Sequence, residues 1–268
     1  MGFLSSFLSG GREDSVFDSN EIVKAIRAND FNRFARVGVD NLSLLQFEDS
    51  LNRIDSDGHT FLSRLLMYGN DQTYEGEFAK YVMCFGARLD LTLPNGKKVW
   101  QVNTIKAMNN YLAIINYMVE NLSGNDVLAQ GPGQMPHTAL LWMTKLGYYH
   151  GLKYFLATKG ADPNMCYGNR ITPVMIATEM SYPHFIDELA RHGANIDQSD
   201  EDGWSALSFA AANIDHRPNN LAMVAEALIR NGANVNHRNN RGKTPLALAV
   251  HYGNDVVAAI LRQAGALM

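Results

Sequence analysis

Three stretches decide how this chain reads: Thr172-Pro173-Val174-Met175-Ile176-Ala177, Ser205-Ala206-Leu207-Ser208-Phe209-Ala210 and Thr244-Pro245-Leu246-Ala247-Leu248-Ala249. Each is followed by a second apolar run that stops at a Gly-Ala pair: Gly193-Ala194, Gly232-Ala233 and Gly265-Ala266. A Thr or Ser ahead of an apolar run can accept from the unpaired N–H groups of a starting helix, and Pro is tolerated in that first turn because no donor is needed there. Leu246, Leu248, Ala249 and Val250, then Val256, Val257, Ile260 and Leu261, recur at helical spacing on either side of the polar turn Gly253-Asn254-Asp255. Each copy therefore predicts two antiparallel helices. The closing Gly suits the left-handed position past a helix end, and the residues after it, such as Asn234-Val235-Asn236, are expected to be extended.

The spacing sharpens this reading. Gly160 and Gly193 are 33 residues apart, as are Gly232 and Gly265, while 39 separate Gly193 from Gly232; the surplus falls near Asp215-His216-Arg217-Pro218-Asn219-Asn220. A period of 33 with a Thr-Pro-Leu-like helix start resembles the ankyrin repeat. The resemblance is strong over 133–266, weaker over 55–121, and lost before that. It implies an all-α solenoid of about six to seven helix-turn-helix units, irregular at the N-terminus, in which each unit contacts only its neighbours.

Composition bounds the partners. Of 268 residues, 46% are hydrophobic, enough for a continuous core. The net charge of -4, with no run of Lys and Arg longer than two, argues against a nucleic-acid partner. Cys84 and Cys166 are too few for a disulfide framework and read as small buried thiols, with no metal role. The stretch Met1-Gly2-Phe3-Leu4-Ser5-Ser6-Phe7-Leu8 lacks a basic n-region and is too short to span a bilayer. Gly2 with Ser6 fits the loose myristoylation pattern, but the bulky Phe3 speaks against it. The expectation is a cytoplasmic monomer with no membrane attachment.

Along the chain, residues 1–17 read as an N-terminal extension and 18–54 as a degenerate capping repeat. In the latter, Asp18 and Glu21 open one helix, Phe31, Phe34, Ala35 and Val37 mark a second, and a further short helix falls in 42–51. The repeat array occupies 55–268. Its first unit starts at Asp55-Ser56-Asp57-Gly58-His59-Thr60-Phe61-Leu62, carries an expanded turn over 70–76 and closes at Gly86-Ala87. The next begins at Asn95-Gly96-Lys97-Lys98-Val99-Trp100 and ends near Glu120-Asn121 without a Gly-Ala close. A long connection at 123–135, containing Gly131-Pro132-Gly133, then forms a joint before Thr138-Ala139-Leu140-Leu141. Asp255, Arg262 and Gln263 are expected to wet the outer face of the last helix, with no room for a catalytic domain beyond it.

No active site is legible. His59, His137, His150, His184, His192 and His251 are scattered, none at metal-ligand spacing from a second ligand, and there is no Gly-rich phosphate loop or Gly-x-Ser-x-Gly elbow. Glu201, Asp202, Asp55 and Asp57 fall at loop tips, where nothing desolvates a carboxylate, and read as turn formers. No catalytic residue, cofactor or metal is expected.

In proteins resembling this one, loop tips and first helices line a concave surface that meets a partner protein. Independently of the family, apolar positions facing neighbouring repeats are committed to the core, so specificity is left to the remaining positions. Just before the helix starts these are His59, Lys97, His137, Ile171, Trp204 and Lys243. At the ends of the first helices they are Met67 and Tyr68, Lys145 and Leu146, Glu179 and Met180, Asn213, and His251 with Tyr252. Trp204 is the leading anchor, since Trp and Tyr bury much area at little rotamer cost. The function expected is a non-catalytic binder of one specific protein, a toxin, an enzyme or a regulatory protein, acting by occlusion as an inhibitor or immunity-type protein. Two other readings stay open on sequence alone: a secreted effector or adaptor subunit that recruits a larger complex, and an enzyme with a cryptic site in the irregular N-terminal half.

Overall fold

Threonine and serine hydroxyls open helices where the sequence places them. In the computed structural model, Thr138, Thr172, Ser205 and Thr244 accept through their side chains from the backbone N–H of Leu141, Met175, Ser208 and Ala247. Each cap satisfies one of the N–H groups orphaned at a helix start and is worth about 1 kcal/mol against Ala. The structure describes residues 49, 51–54, 58–68, 75–84, 86–103, 105, 108–123, 125–128, 137–166, 168–213 and 218–267. The N-terminal extension, the helix pair of the capping repeat, most of the short helix expected in 42–51, Asp55, Asp57 and the Gly131-Pro132-Gly133 turn lie outside the described residues.

Among the described residues there are eleven α-helices. They are α1 (Phe61–Tyr68), α2 (Glu75–Cys84), α3 (Asn109–Asn121), α4 (Ala139–Lys145), α5 (Tyr149–Thr158), α6 (Pro173–Glu179), α7 (Pro183–Arg191), α8 (Ala206–Ala212), α9 (Pro218–Arg230), α10 (Pro245–Tyr252) and α11 (Asp255–Gln263). The repeat closes as its Gly-Ala pairs predict. Gly193, Gly232 and Gly265 have φ of 87°, 91° and 82°. The alanine after each donates back to Leu189, Leu228 and Leu261 at 3.0, 3.0 and 2.9 Å, capping a carbonyl that the helix cannot.

The chain divides into two units, one of Met1–Tyr117 with Tyr148–His150 and the other of Met118–Gly147 with Gly151–Met268. In the first, α1 packs on α2 and on a 3-10 turn at Val99–Val102. Its described core holds Leu62, Leu65, Leu66, Val82, Met83 and Val99. Thr60 and Ser63 cap one another, Ser63 N–H to Thr60 Oγ1 at 3.1 Å and Thr60 N–H to Ser63 Oγ at 2.9 Å. Burial pushes the Tyr148 phenol well up; its oxygen receives the Leu89 N–H at 3.4 Å.

In the second unit the first helices α4, α6, α8 and α10 pack each on the next, and the second helices α7, α9 and α11 do likewise. Leu140, Val174, Leu207 and Leu246 from the one row and Phe185, Leu189, Leu228, Val257 and Leu261 from the other are buried between them. Each such side chain contributes about 1.5–3 kcal/mol by leaving water. Across the second row, Asp187 holds Arg230 bidentately at 2.9 and 2.8 Å and Asn231 at 2.6 Å. The buried Glu188 carboxylate is taken by Arg191 and, at 3.2 Å, by His192 on its own helix.

Several expectations are corrected. The segment Asn234-Val235-Asn236 is a turn, because Asn234 Oδ1 accepts the Asn236 N–H at 3.0 Å and its carbonyl accepts the His237 N–H at 3.1 Å; that local bonding displaces the extended form. Pro218, Asn219 and Asn220, counted in an inserted loop, begin α9, where a proline suits the first turn, and the insertion lengthens that helix to 13 residues against nine in α7. Glu75 and Gly76, counted in the expanded turn, begin α2. The connection at 123–135 carries β1 (Val127–Leu128), paired antiparallel with β2 (His137–Thr138). In the unit opening at Asn95 the first helix shrinks to the 3-10 turn: Lys98 stands at the cap position and lysine has no acceptor for the free N–H groups. Val250 and Val256, counted in the apolar pattern, are 44% and 40% exposed, and Cys166 is half-buried.

Candidate functional site

The helix pairs that start at Ala206 and Pro245 are each preceded by a tight tip whose shape is fixed by one side chain. Asp200 Oδ1 accepts from the backbone N–H of Trp204 at 2.7 Å and of Asp202 at 3.0 Å, while the Asp200 N–H donates to the Trp204 carbonyl at 3.0 Å. Asn239 repeats the device one unit on, accepting from Lys243 at 2.9 Å and Arg241 at 3.0 Å. Consecutive tips are then bonded together. Glu201 N–H donates to the Asn169 carbonyl at 3.1 Å, Asn240 N–H to that of Asp202 at 3.1 Å, and Asn240 Nδ2 to that of Glu201 at 2.9 Å. The His237 ring nitrogen 2.8 Å from the Gly203 carbonyl must carry the proton there, since a carbonyl only accepts. The tips are thus held mainly by backbone groups and by the side chains of Asp200, Asn239 and Asn240.

The sequence-derived candidates in the second unit fall in two sets. Ile171, Trp204 and Lys243, each immediately before a cap, are half-buried at equivalent places on consecutive tips. The Trp204 ring is tilted against Phe209 at 5.5 Å between centroids, so part of the indole is braced and part is open. His137 lies in β2, just ahead of the cap Thr138. At the ends of the first helices, Lys145 and Glu179 are exposed and the C-cap residues Leu146 and Met180 half-buried. Lys145 Nζ sits 5.4 Å from the Trp142 ring centroid. His251 and Tyr252 are exposed at the end of α10, their rings edge to face at 5.0 Å. In the first unit, His59 is half-buried with Nδ1 3.5 Å from Ser63 Oγ, and Tyr68 is the last residue of α1.

One tip residue escaped the sequence reading. The position two before the cap is Gly58, Gly96, Gly203 and Gly242 elsewhere, with φ between 73° and 83°; at the equivalent place stands Arg170, with φ of 60°. A non-glycine residue in a register otherwise kept by glycine was the signal available. Among the described residues no group of three His, Cys, Asp or Glu could hold a metal ion. Among them, too, no helix is long and apolar enough to cross a membrane.

Capped helix pairs, glycine closes and mutually bonded tips define a helical repeat protein. The family model described as ankyrin repeats (3 copies) matches residues 140–224, so the chain carries ankyrin repeats over that stretch. It is 35% identical over 131 residues to an ankyrin repeat protein of fowlpox virus, covering 47% of this chain and 36% of the viral one. It is 36% identical over 90 residues to the neurogenic locus notch homolog protein 1 of Xenopus tropicalis, covering 33% of this chain and 3% of that protein. It is 41% identical over 78 residues to the intracellular phospholipase A2 of Caenorhabditis elegans, covering 29% of this chain and 7% of the enzyme. The chain thus spans little more than a third of the length of the first of these curated relatives and far less of the others. What is shared is the repeat, a fold that generally serves as a non-catalytic interaction scaffold.

Proposed function

We propose that this chain binds one specific partner protein through its loop tips and the ends of its first helices, and acts by occlusion as an inhibitor or immunity-type protein in the cytoplasm. The observation that carries the reading is the row Ile171, Trp204 and Lys243: register-equivalent, half-exposed side chains of different chemistry on tips that the backbone has already fixed. Prefixed tips lose little entropy on binding, and a braced Trp beside an aliphatic and a cationic neighbour is the kind of anchor that interfaces use. Glu179, Met180, Lys145, Leu146, His251, Tyr252 and His137 extend the surface within the same unit, and His59 and Tyr68 are the equivalents in the first. Cys84 and Cys166, neither of them in a disulfide, suit a reducing compartment.

The test is affinity capture from the native source with the intact chain and with a Trp204→Ala, Tyr252→Ala double variant, folding checked by circular dichroism. One protein retained by the natural chain and lost by the folded variant is the expected result, and assay of that protein's activity in the complex then separates inhibition from recruitment. Equal capture by both chains would remove Trp204 and Tyr252 from the surface.

A further inference from the structure

We infer that Arg170 is a partner-contact residue whose guanidinium takes a carboxylate side chain of the bound protein. The inference rests on the reading of the tips as a binding surface and gives that surface its chemistry.

Three observations converge on this residue. The first is backbone conformation. Gly168, Asn169 and Arg170 have φ of 46°, 28° and 60° in succession, and at the Arg170 position the four other described tips carry glycine. An L side chain is strained there, and glycine would relieve the strain without altering the turn. Such strain persists only where surrounding bonds impose it, and here they do: Ile171 N–H closes the turn onto the Gly168 carbonyl at 3.0 Å, and the Asn169 carbonyl is pinned by Glu201 N–H at 3.1 Å.

The second is the side chain. Arg170 is exposed and makes no hydrogen bond or ion pair among the described residues, although the next tip carries Glu201 and Asp202. Other arginines behave differently: on a later tip Arg238 donates to the Gly242 carbonyl at 2.8 Å, and away from the tips Arg88 and Arg230 are paired with Asp90 and Asp187. Arg170 therefore carries a strained conformation with no return inside the fold.

The third is the setting, which selects the ligand. A planar fork of N–H donors fits a carboxylate or a phosphate in two parallel bonds. Asp200, Glu201 and Asp202 on the adjoining tip and a net charge of -4 repel a polyanion such as a phosphate backbone, but leave room for one carboxylate at the end of a protein side chain. Ile171, beside Arg170, and Trp204, one tip on, supply the apolar surface that shields such a pair from water.

The experiment is selection of a phage-displayed random dodecapeptide library on the immobilised chain. The enriched peptides are then synthesised and titrated against the natural chain, Arg170→Gly, Arg170→Lys and the Trp204→Ala, Tyr252→Ala pair. We expect the enriched family to share an Asp or Glu, and Arg170→Gly to bind it about tenfold more weakly or worse. The same variant should gain thermal stability, so that loss of binding cannot be loss of fold. Arg170→Lys, which keeps the charge but not the fork, should fall between. Enriched peptides without a common acidic residue overturn the inference, as does binding to Arg170→Gly within twofold of the natural chain. Binding lost in the Trp204 and Tyr252 pair but kept in Arg170→Gly removes this inference and leaves the broader reading standing; binding kept in both removes both.

Discussion

Asn164 holds the loop around Asn195 with both ends of its amide: Nδ2 donates to the Gly193 carbonyl at 3.1 Å and Oδ1 accepts the Asn195 N–H at 2.6 Å. The same stitch recurs where Asn125 bonds Gly160 and Asp162, and where Asn52 bonds Gly86 and Arg88. Asp197 and Asn236 supply its accepting half to Asn234 and Leu267. One repeat is thereby fastened to the next at its closing glycine.

Asn164→Ala removes both bonds and is expected to lower stability by about 2 kcal/mol, while Asn164→Asp, which keeps the acceptor, should lose less. Urea unfolding monitored by circular dichroism reads both. Equal stabilities for Ala and Asp would mean that the Oδ1 acceptor carries nothing.

Gly203 should tolerate no side chain. Its φ is 77°, and a Cβ there would lie 2.8 Å from the backbone nitrogen of Asn240 and 2.5 Å from its Oδ1. Strain and overlap against backbone together put Gly203→Ala at about 2 kcal/mol or more of destabilisation. Gly242, with nothing within 4 Å of its Cβ position, should lose only the conformational part, about 1 kcal/mol. Comparison of the two variants by denaturant midpoint separates contact from conformation.

Ser181→Gly should stabilise. Ser181 occupies the inter-helix turn position that Gly147 and Gly253 fill in other units, with φ of 60° against their 68° and 71°. It is buried, and its hydroxyl has no partner among the described residues. Removing strain and an unsatisfied polar atom is worth about 1 kcal/mol, a rise of roughly 2–4 °C in thermal midpoint. A lower midpoint would show that the hydroxyl is satisfied after all.

Asp90 makes stability depend on acid. Burial alone would raise its carboxyl, but the hydrogen bonds from Arg88, at 2.7 and 3.1 Å, and the charges of His150 and Arg88 outweigh it and hold the carboxyl below its ordinary value of 3.8. A depressed folded value means stability present above the ordinary range and lost as pH falls through the folded one. The natural chain should therefore exceed Asp90→Asn in urea resistance at pH 6, and the gap should close as pH falls through the folded value, which lies below 3.8. With Asp90 41% exposed, solvent screening keeps the gap to about 1 kcal/mol or less. A gap unchanged at acid pH contradicts the assignment.

The repeat itself was legible because its signals are local. A cap hydroxyl, an apolar run and a glycine close act within a dozen residues, and Thr172, Thr244, Gly193 and Gly265 behave as their neighbours in sequence dictate. What sequence did not reveal depends on competition between local bonds and expected form. Asn234 closes its own turn where an extended segment was expected, Pro218 to Asn220 join a helix where a loop was expected, and Lys98 fails as a cap and shortens its helix. In the candidate site, the register of Ile171, Trp204 and Lys243 could be read directly. Arg170 was missed: the sequence shows a non-glycine residue in a register otherwise held by glycine, but its strain shows only in the backbone angle.

The most direct measurement is hydrogen–deuterium exchange of the chain alone and in complex with the protein it captures. Binding through the tips predicts slowed exchange at 168–171, 200–204 and 239–243, with α7, α9 and α11 unchanged. Slowed exchange in those second helices with the tips unaffected would contradict it.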